Sequence, residues 1–73
     1  MIILQTRLTE LRKEKGWTIR ELAERSDVPR STIGCIETGD VIPRIDTVLR
    51  LSCALECTVE KLFWMEQESK KNT

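Results

Sequence analysis

Two short helical segments set almost end to end constrain this chain more than any other feature. Thr18 followed by Glu21 spells a capping box, in which each side chain satisfies a backbone N–H at a helix start. The helix it opens carries Leu22 and Ala23 inward and ends near Ser26, with Asp27 making the turn. Val28-Pro29 opens the second segment, where proline fits because its missing N–H would have no intrahelical partner anyway. Ile33 and Ile36 share an inner face, and Gly39 ends the helix. Helices of roughly two turns are marginal alone, so these must pack on each other and on the rest of the chain. So tight a turn forces a steep crossing. Ala23 is small where the second segment packs close to it, Val28 plugs the turn, and Arg30, Ser31, Gly34, Cys35 and Thr38 are left pointing outward.

The flanks read as further helices. Leu4, Leu8 and Leu11 recur at helical spacing over residues 5–15, and Gly16 stops that run. After a loop at 40–44 limited by Pro43, a fourth helix spans 45–55 with Ile45, Val48, Leu49, Ser52 and Leu55 tracing one face. Glu56-Cys57 forms a tight connection, and a fifth helix follows Thr58 with Val59, Leu62 and Phe63. There is no repeat and no strand alternation, and Met1-Ile2-Ile3-Leu4 is too short to assign. The expectation is one all-α domain of five helices over residues 1–65, followed by a polar tail at 66–73 that frays. At 73 residues the chain sits near the lower limit for a self-sufficient core, where stability is often borrowed from a partner subunit.

Composition removes several classes of function. Without a histidine, no side chain has an unperturbed pKa suited to acid/base work near neutral pH. No nucleophile–base pairing and no phosphate-cradling glycine loop is present, so an enzyme is not expected, nor a cofactor or a small-molecule ligand. Three cysteines, Cys35, Cys53 and Cys57, cannot close a disulfide framework or fill a structural zinc site, so no metal is expected. An odd cysteine count without a secretory leader agrees with a reducing, cytoplasmic setting. No apolar run reaches the length of a membrane span. Charge is balanced at 12 basic and 12 acidic residues, which counts against a nucleic-acid partner, since phosphate contacts usually demand a basic surface.

Against that stands a resemblance. Arg7-Leu8 with Leu11-Arg12, then Glu21-Leu22-Ala23, then Ile33 with Ile36-Glu37 and Gly39, then Val59-Glu60-Lys61-Leu62-Phe63 follow one another in order and spacing. Each piece is weak, but together they resemble the phage Cro/repressor-type, or Xre-like, helix-turn-helix family over about residues 7–63. The resemblance implies a lambda-repressor-like domain with the helix-turn-helix formed by helices 2 and 3. It also implies sequence-specific binding of double-stranded DNA in transcription regulation, with the third helix in the major groove. A homodimer is expected, placing two such helices about 34 Å apart.

Family positions then nominate residues. Arg30, Ser31, Gly34 and Cys35 fall where base edges are read. Arg30 at the head of the helix suits a bidentate contact with guanine, a phosphate contact, or plain solvation. Gly34 and Cys35 carry no long polar group. Either the bare surface lets the helix sit deeper or touch a thymine methyl, or the reading surface is degraded. Thr18, Ile19, Thr32, Thr38 and Arg44 are phosphate candidates, although Ile19 stands where the family often has glutamine and offers only backbone N–H groups. Arg12 and Glu37 match positions that join the first helix to the end of the third by an ion pair. Trp17 matches a core position. Trp64 and Met65 either cap the core or form a dimer patch. Arg20 is expected to pair with Glu24 at i, i+4. The rival reading, favoured by neutral charge, Ile19, Gly34-Cys35 and Asp40-Val41-Ile42, is a protein-interaction module on the same fold, antitoxin-like or a silenced regulator.

Overall fold

The computed structural model describes residues 2–67. Among them the chain forms five helices and a two-stranded antiparallel sheet. Strand β1 (Ile2–Thr6) leads into helix α1 (Leu8–Glu14), then α2 (Ile19–Ser26), α3 (Arg30–Thr38), α4 (Ile45–Leu55) and α5 (Val59–Leu62), and strand β2 (Phe63–Gln67) closes the order. Five helices were expected and are present, but the domain is not all-α.

The sheet corrects both ends of the sequence reading. Ile2 pairs with Gln67, Leu4 with Met65 and Thr6 with Phe63, so residues 2–6 are spent on a strand and α1 starts at Leu8 rather than Gln5. Phe63, expected in the fifth helix, is the first residue of β2, in extended backbone at φ −134° and ψ 141°. Strand β2 also takes in Glu66 and Gln67 from the polar tail; residues 68–73 of that tail lie outside the described residues. Hydrogen bonds tie the ribbon to the helices around the Leu62 carbonyl. The Leu62 carbonyl accepts from both the Arg7 N–H and the Thr6 hydroxyl, each at 3.0 Å, and the Thr6 oxygen in turn accepts from the Leu8 N–H at 3.1 Å.

The core is a single cluster drawn from every helix. Leu8, Leu22, Ile33, Leu51 and Leu62 are its fully buried members, with Leu11, Val28, Ile36, Val48, Leu55 and Phe63 around them. In α4 the buried positions are Val48, Leu51, Ser52 and Leu55. Ile45 and Leu49, expected on that inner face, are exposed instead at 71% and 52%. Apolar residues cover too wide an arc of α4 for periodicity to choose its buried centre, and Leu51 takes the place that Leu49 was expected to hold. Trp17 is half-buried rather than enclosed. It packs on the core margin with the Arg25 guanidinium 4.6 Å from its ring centroid and the Lys15 ammonium at 5.8 Å. Trp64 is half-buried under the Arg7 guanidinium, 4.7 Å away, while Met65 is exposed.

Candidate nucleic-acid interface

Helix α2 begins as its sequence dictates. The Thr18 hydroxyl accepts from the Glu21 N–H at 3.1 Å, and the Glu21 carboxylate accepts from the Thr18 N–H at 2.8 Å. The helix stops when Asp27 enters the left-handed region at φ 60°, a conformation that aspartate tolerates better than most residues. Arg50 from α4 steadies this turn, donating from Nη1 to the Asp27 carbonyl at 3.0 Å and to its carboxylate at 3.3 Å. Buried Val28 fills the inside of the turn, and α3 sets out from Pro29. Gly39 ends α3 at φ 83°; the Asp40 N–H then donates to the Cys35 carbonyl at 2.9 Å and the Gly39 N–H to that of Ile36 at 3.1 Å. This left-handed cap is cheap for glycine and costly for a residue with a Cβ.

One ion pair locks α3 in place from behind. Arg12 donates from Nε to one Glu37 oxygen at 2.8 Å and from Nη2 to the other at 3.3 Å, while its Nη1 donates to the Trp17 carbonyl at 2.8 Å. The two side chains are only 11% and 10% exposed. A forked arginine–carboxylate contact of this kind fixes orientation as well as adding energy. It joins α1, the α1–α2 turn and the end of α3 at a single point, and it consumes the one carboxylate on α3.

The remaining candidate residues do not all lie together. Arg30 and Ser31 are exposed in the first turn of α3, where no side chain caps the helix. Arg20 pairs with Glu24 at 3.6 Å and Arg44 with Asp46 at 3.5 Å, but among the described residues Arg30 has no carboxylate within 4.0 Å. Ser31, Thr32, Cys35 and Arg44 come together on a groove of about 470 Å³ between the start of α3, the 40–44 loop and the start of α4. Thr38 is exposed at the far end, its hydroxyl donating to the Cys35 carbonyl at 3.1 Å. The structure does not bring Thr18 and Ile19 to this groove. The Thr18 hydroxyl is held in the capping box, and the Ile19 side chain packs against the core.

Two features of this face escaped the sequence reading. Arg50 had not been singled out; its link to Asp27 joins residues 23 apart, and no local pattern announces it. The run Val41, Ile42, Ile45 and Leu49 is exposed in the loop and on α4, with Ile42 at 83%. Its apolar character was legible, but half of it had been placed in the core. Of the cysteines, Cys53 is exposed and Cys35 and Cys57 are partly buried. Burial pushes the Cys57 thiol above its ordinary pKa, with Lys61 and Lys15 opposing the shift.

Known proteins agree with this geometry. The model of a helix-turn-helix family, HTH_3, matches residues 8–62, from the first residue of α1 to the last of α5. An uncharacterized HTH-type transcriptional regulator of Bacillus subtilis, YgzD, is 32% identical over 66 residues, which cover 90% of this chain and 100% of that one. Another, from Methanothermobacter thermautotrophicus, is 36% identical over 93% of this chain and 100% of its own length. Other relatives are longer: the HTH-type transcriptional regulator SutR of Escherichia coli is 33% identical, and the match covers only 29% of it. Among solved structures, the restriction-modification controller protein C.AhdI of Aeromonas hydrophila superposes with a TM-score of 0.72 at 34% identity, covering 75% of this chain and 83% of that one. The chain belongs to the Cro/C1-type helix-turn-helix family.

Proposed function

We propose that this chain binds double-stranded DNA in the regulation of transcription, with α3 in the major groove, and that it does so as a homodimer. The observation that carries this reading is the outward face of α3, headed by an exposed arginine that has no acidic partner among the described residues. An arginine in the first turn of a reading helix is placed for a guanine edge. The uncapped N–H groups of that turn and Arg44 across the groove suit the flanking phosphates. Relatives described as HTH-type transcriptional regulators, two of them matched over their full length, support the same reading. It assigns no catalytic residue and no cofactor, and places the protein in the cytoplasm. Among the described residues no helix is long and apolar enough to cross a membrane.

The exposed run of Ile42, Ile45 and Leu49 supports the dimer. An apolar strip of this kind on so small a domain marks a contact surface, and a second copy would cover it. The same strip also favours the rival, a protein-interaction module that uses the fold without reading DNA. A mobility-shift assay over a salt series, with pooled genomic fragments, separates the two. Sequence-selective binding that weakens steeply with salt is expected. Its absence at every salt concentration would leave the rival. Analytical ultracentrifugation is expected to show a dimer that Leu49→Glu returns to a monomer.

A further inference from the structure

Arg50 lines the groove beside the start of α3 together with Arg44 and three hydroxyl-bearing residues, Ser31, Thr32 and Thr47. Each arginine is matched by a carboxylate of the same groove: Arg44 by Asp46 at 3.5 Å, and Arg50 by Asp27 at 3.3 Å. Both pairs are exposed, the Asp27 side chain at 95%, and exposed pairs hold their partners weakly. Arg50 uses only Nη1 on the turn, where it donates to the Asp27 carbonyl as well as to the carboxylate. Among the described residues its Nε and Nη2 hydrogens find no acceptor. The backbone carbonyl therefore keeps the guanidinium in place when the carboxylate is displaced, with its other hydrogens available to a new acceptor. Asp27 and Pro29 also line the neighbouring cleft that holds Arg30, so the groove adjoins the base-reading end of α3.

We propose that this groove seats a backbone phosphate of the DNA, with Arg50 as a ligand beside Arg44, and that Asp27 and Asp46 are stand-in counter-ions which the phosphate displaces. The inference rests on the DNA-binding reading and adds to it a contact that carries no base information. Guanidinium groups match phosphate oxygens well, and hydroxyl groups also donate to them. The arrangement reconciles DNA binding with a chain of 12 basic and 12 acidic residues. Its cations need not form a broad basic surface if those beside the reading helix are held by partners that let go.

The experiment measures fluorescence anisotropy over a potassium chloride series, with a duplex that the wild-type protein selects from a randomised pool and a scrambled duplex of the same composition. Arg50→Ala is expected to weaken binding to both duplexes by the same factor, and to make the slope of log affinity against log salt shallower by about one. Arg50→Lys is expected to restore the slope. Asp27→Asn removes the competing charge and keeps a residue that tolerates the left-handed turn, so it is expected to raise affinity for both duplexes. An unchanged slope in Arg50→Ala, or a loss confined to the selected duplex, would overturn the phosphate seat while leaving DNA binding intact. A loss of affinity in Asp27→Asn would do the same, because it would assign Arg50 to holding the turn. Failure of the wild-type protein to bind any duplex would overturn both readings.

Discussion

On its inner face, α3 is finished. Ile33 and Ile36 are buried in the core, and Glu37 is gripped by both forks of Arg12. On its outer face, the same nine residues leave Arg30 without an acidic partner among the described residues, Ser31 exposed and Gly34 bare. Helix α2, the other half of the motif, shows what a finished outer face looks like: Arg20 is paired with Glu24, and the helix start is closed by its own capping box. The inner face explains why α3 folds where it does. Nothing in the fold explains the outer face, so its residue choices point to something outside the chain.

The comparison breaks first, and most widely, at Glu37. Replacing it by alanine leaves the largely buried Arg12 guanidinium without its counter-charge, and is expected to destabilise the domain by about 3–5 kcal/mol. Against a total of roughly 5–15 kcal/mol for a small domain, that approaches unfolding. Urea denaturation followed by circular dichroism measures it. A shape-matched apolar pair, Arg12→Met with Glu37→Leu, is expected to recover most of the loss, because the penalty comes from the orphaned charge. If Glu37→Ala costs less than about 1 kcal/mol, the inner face is no more committed to the fold than an exposed pair would be.

The same contrast explains what could be read from the sequence. The helix-turn-helix was legible because local chemistry writes it: Thr18 and Glu21 at one end, Asp27, Val28 and Pro29 at the turn, Gly39 at the other end. The strands were not. Residues 2–6 find their partners at 63–67, and a pairing so distant in sequence leaves no local period to detect. The inner face of α4 was only half legible, since Ile45 and Leu49 fit a helical stripe as well as Leu51 does and only packing decides between them. For the candidate site, the outward set on α3 followed from the spacing of Ile33 and Ile36. The grouping of Ser31, Thr32 and Cys35 with Arg44 depends on how the 40–44 loop folds back, which no motif specifies.

Arg30→Ala sharpens the comparison from the other side. With no acidic partner to orphan among the described residues, it is expected to change folding stability by no more than about 0.5 kcal/mol, the usual range for an isolated surface substitution. If Arg30 reads a guanine, its loss costs about 1–3 kcal/mol of DNA affinity and relaxes preference at one base position. Binding measured against a panel of single-base operator variants makes the distinction. An equal loss across all sequences would assign Arg30 to a phosphate.

The smallest effect carries the opposite sign. Glycine inside a helix is less stable than alanine by about 0.5–1 kcal/mol, and at position 34 neither backbone conformation nor crowding offsets that cost. Gly34→Ala is therefore expected to raise stability by that amount. In a domain of this size, a thermal scan should register it as a rise of several degrees, at about 4–8 °C per kcal/mol. The same methyl would stand on the surface proposed to meet DNA, so affinity for a selected duplex is expected to fall while the melting temperature rises. That opposition is the point of the measurement. A glycine that serves the fold loses stability on substitution, and one that serves a partner gains it. If the alanine variant melts earlier than the wild type, Gly34 belongs with the finished inner face, and the contrast between the two sides of α3 does not extend past its first turn.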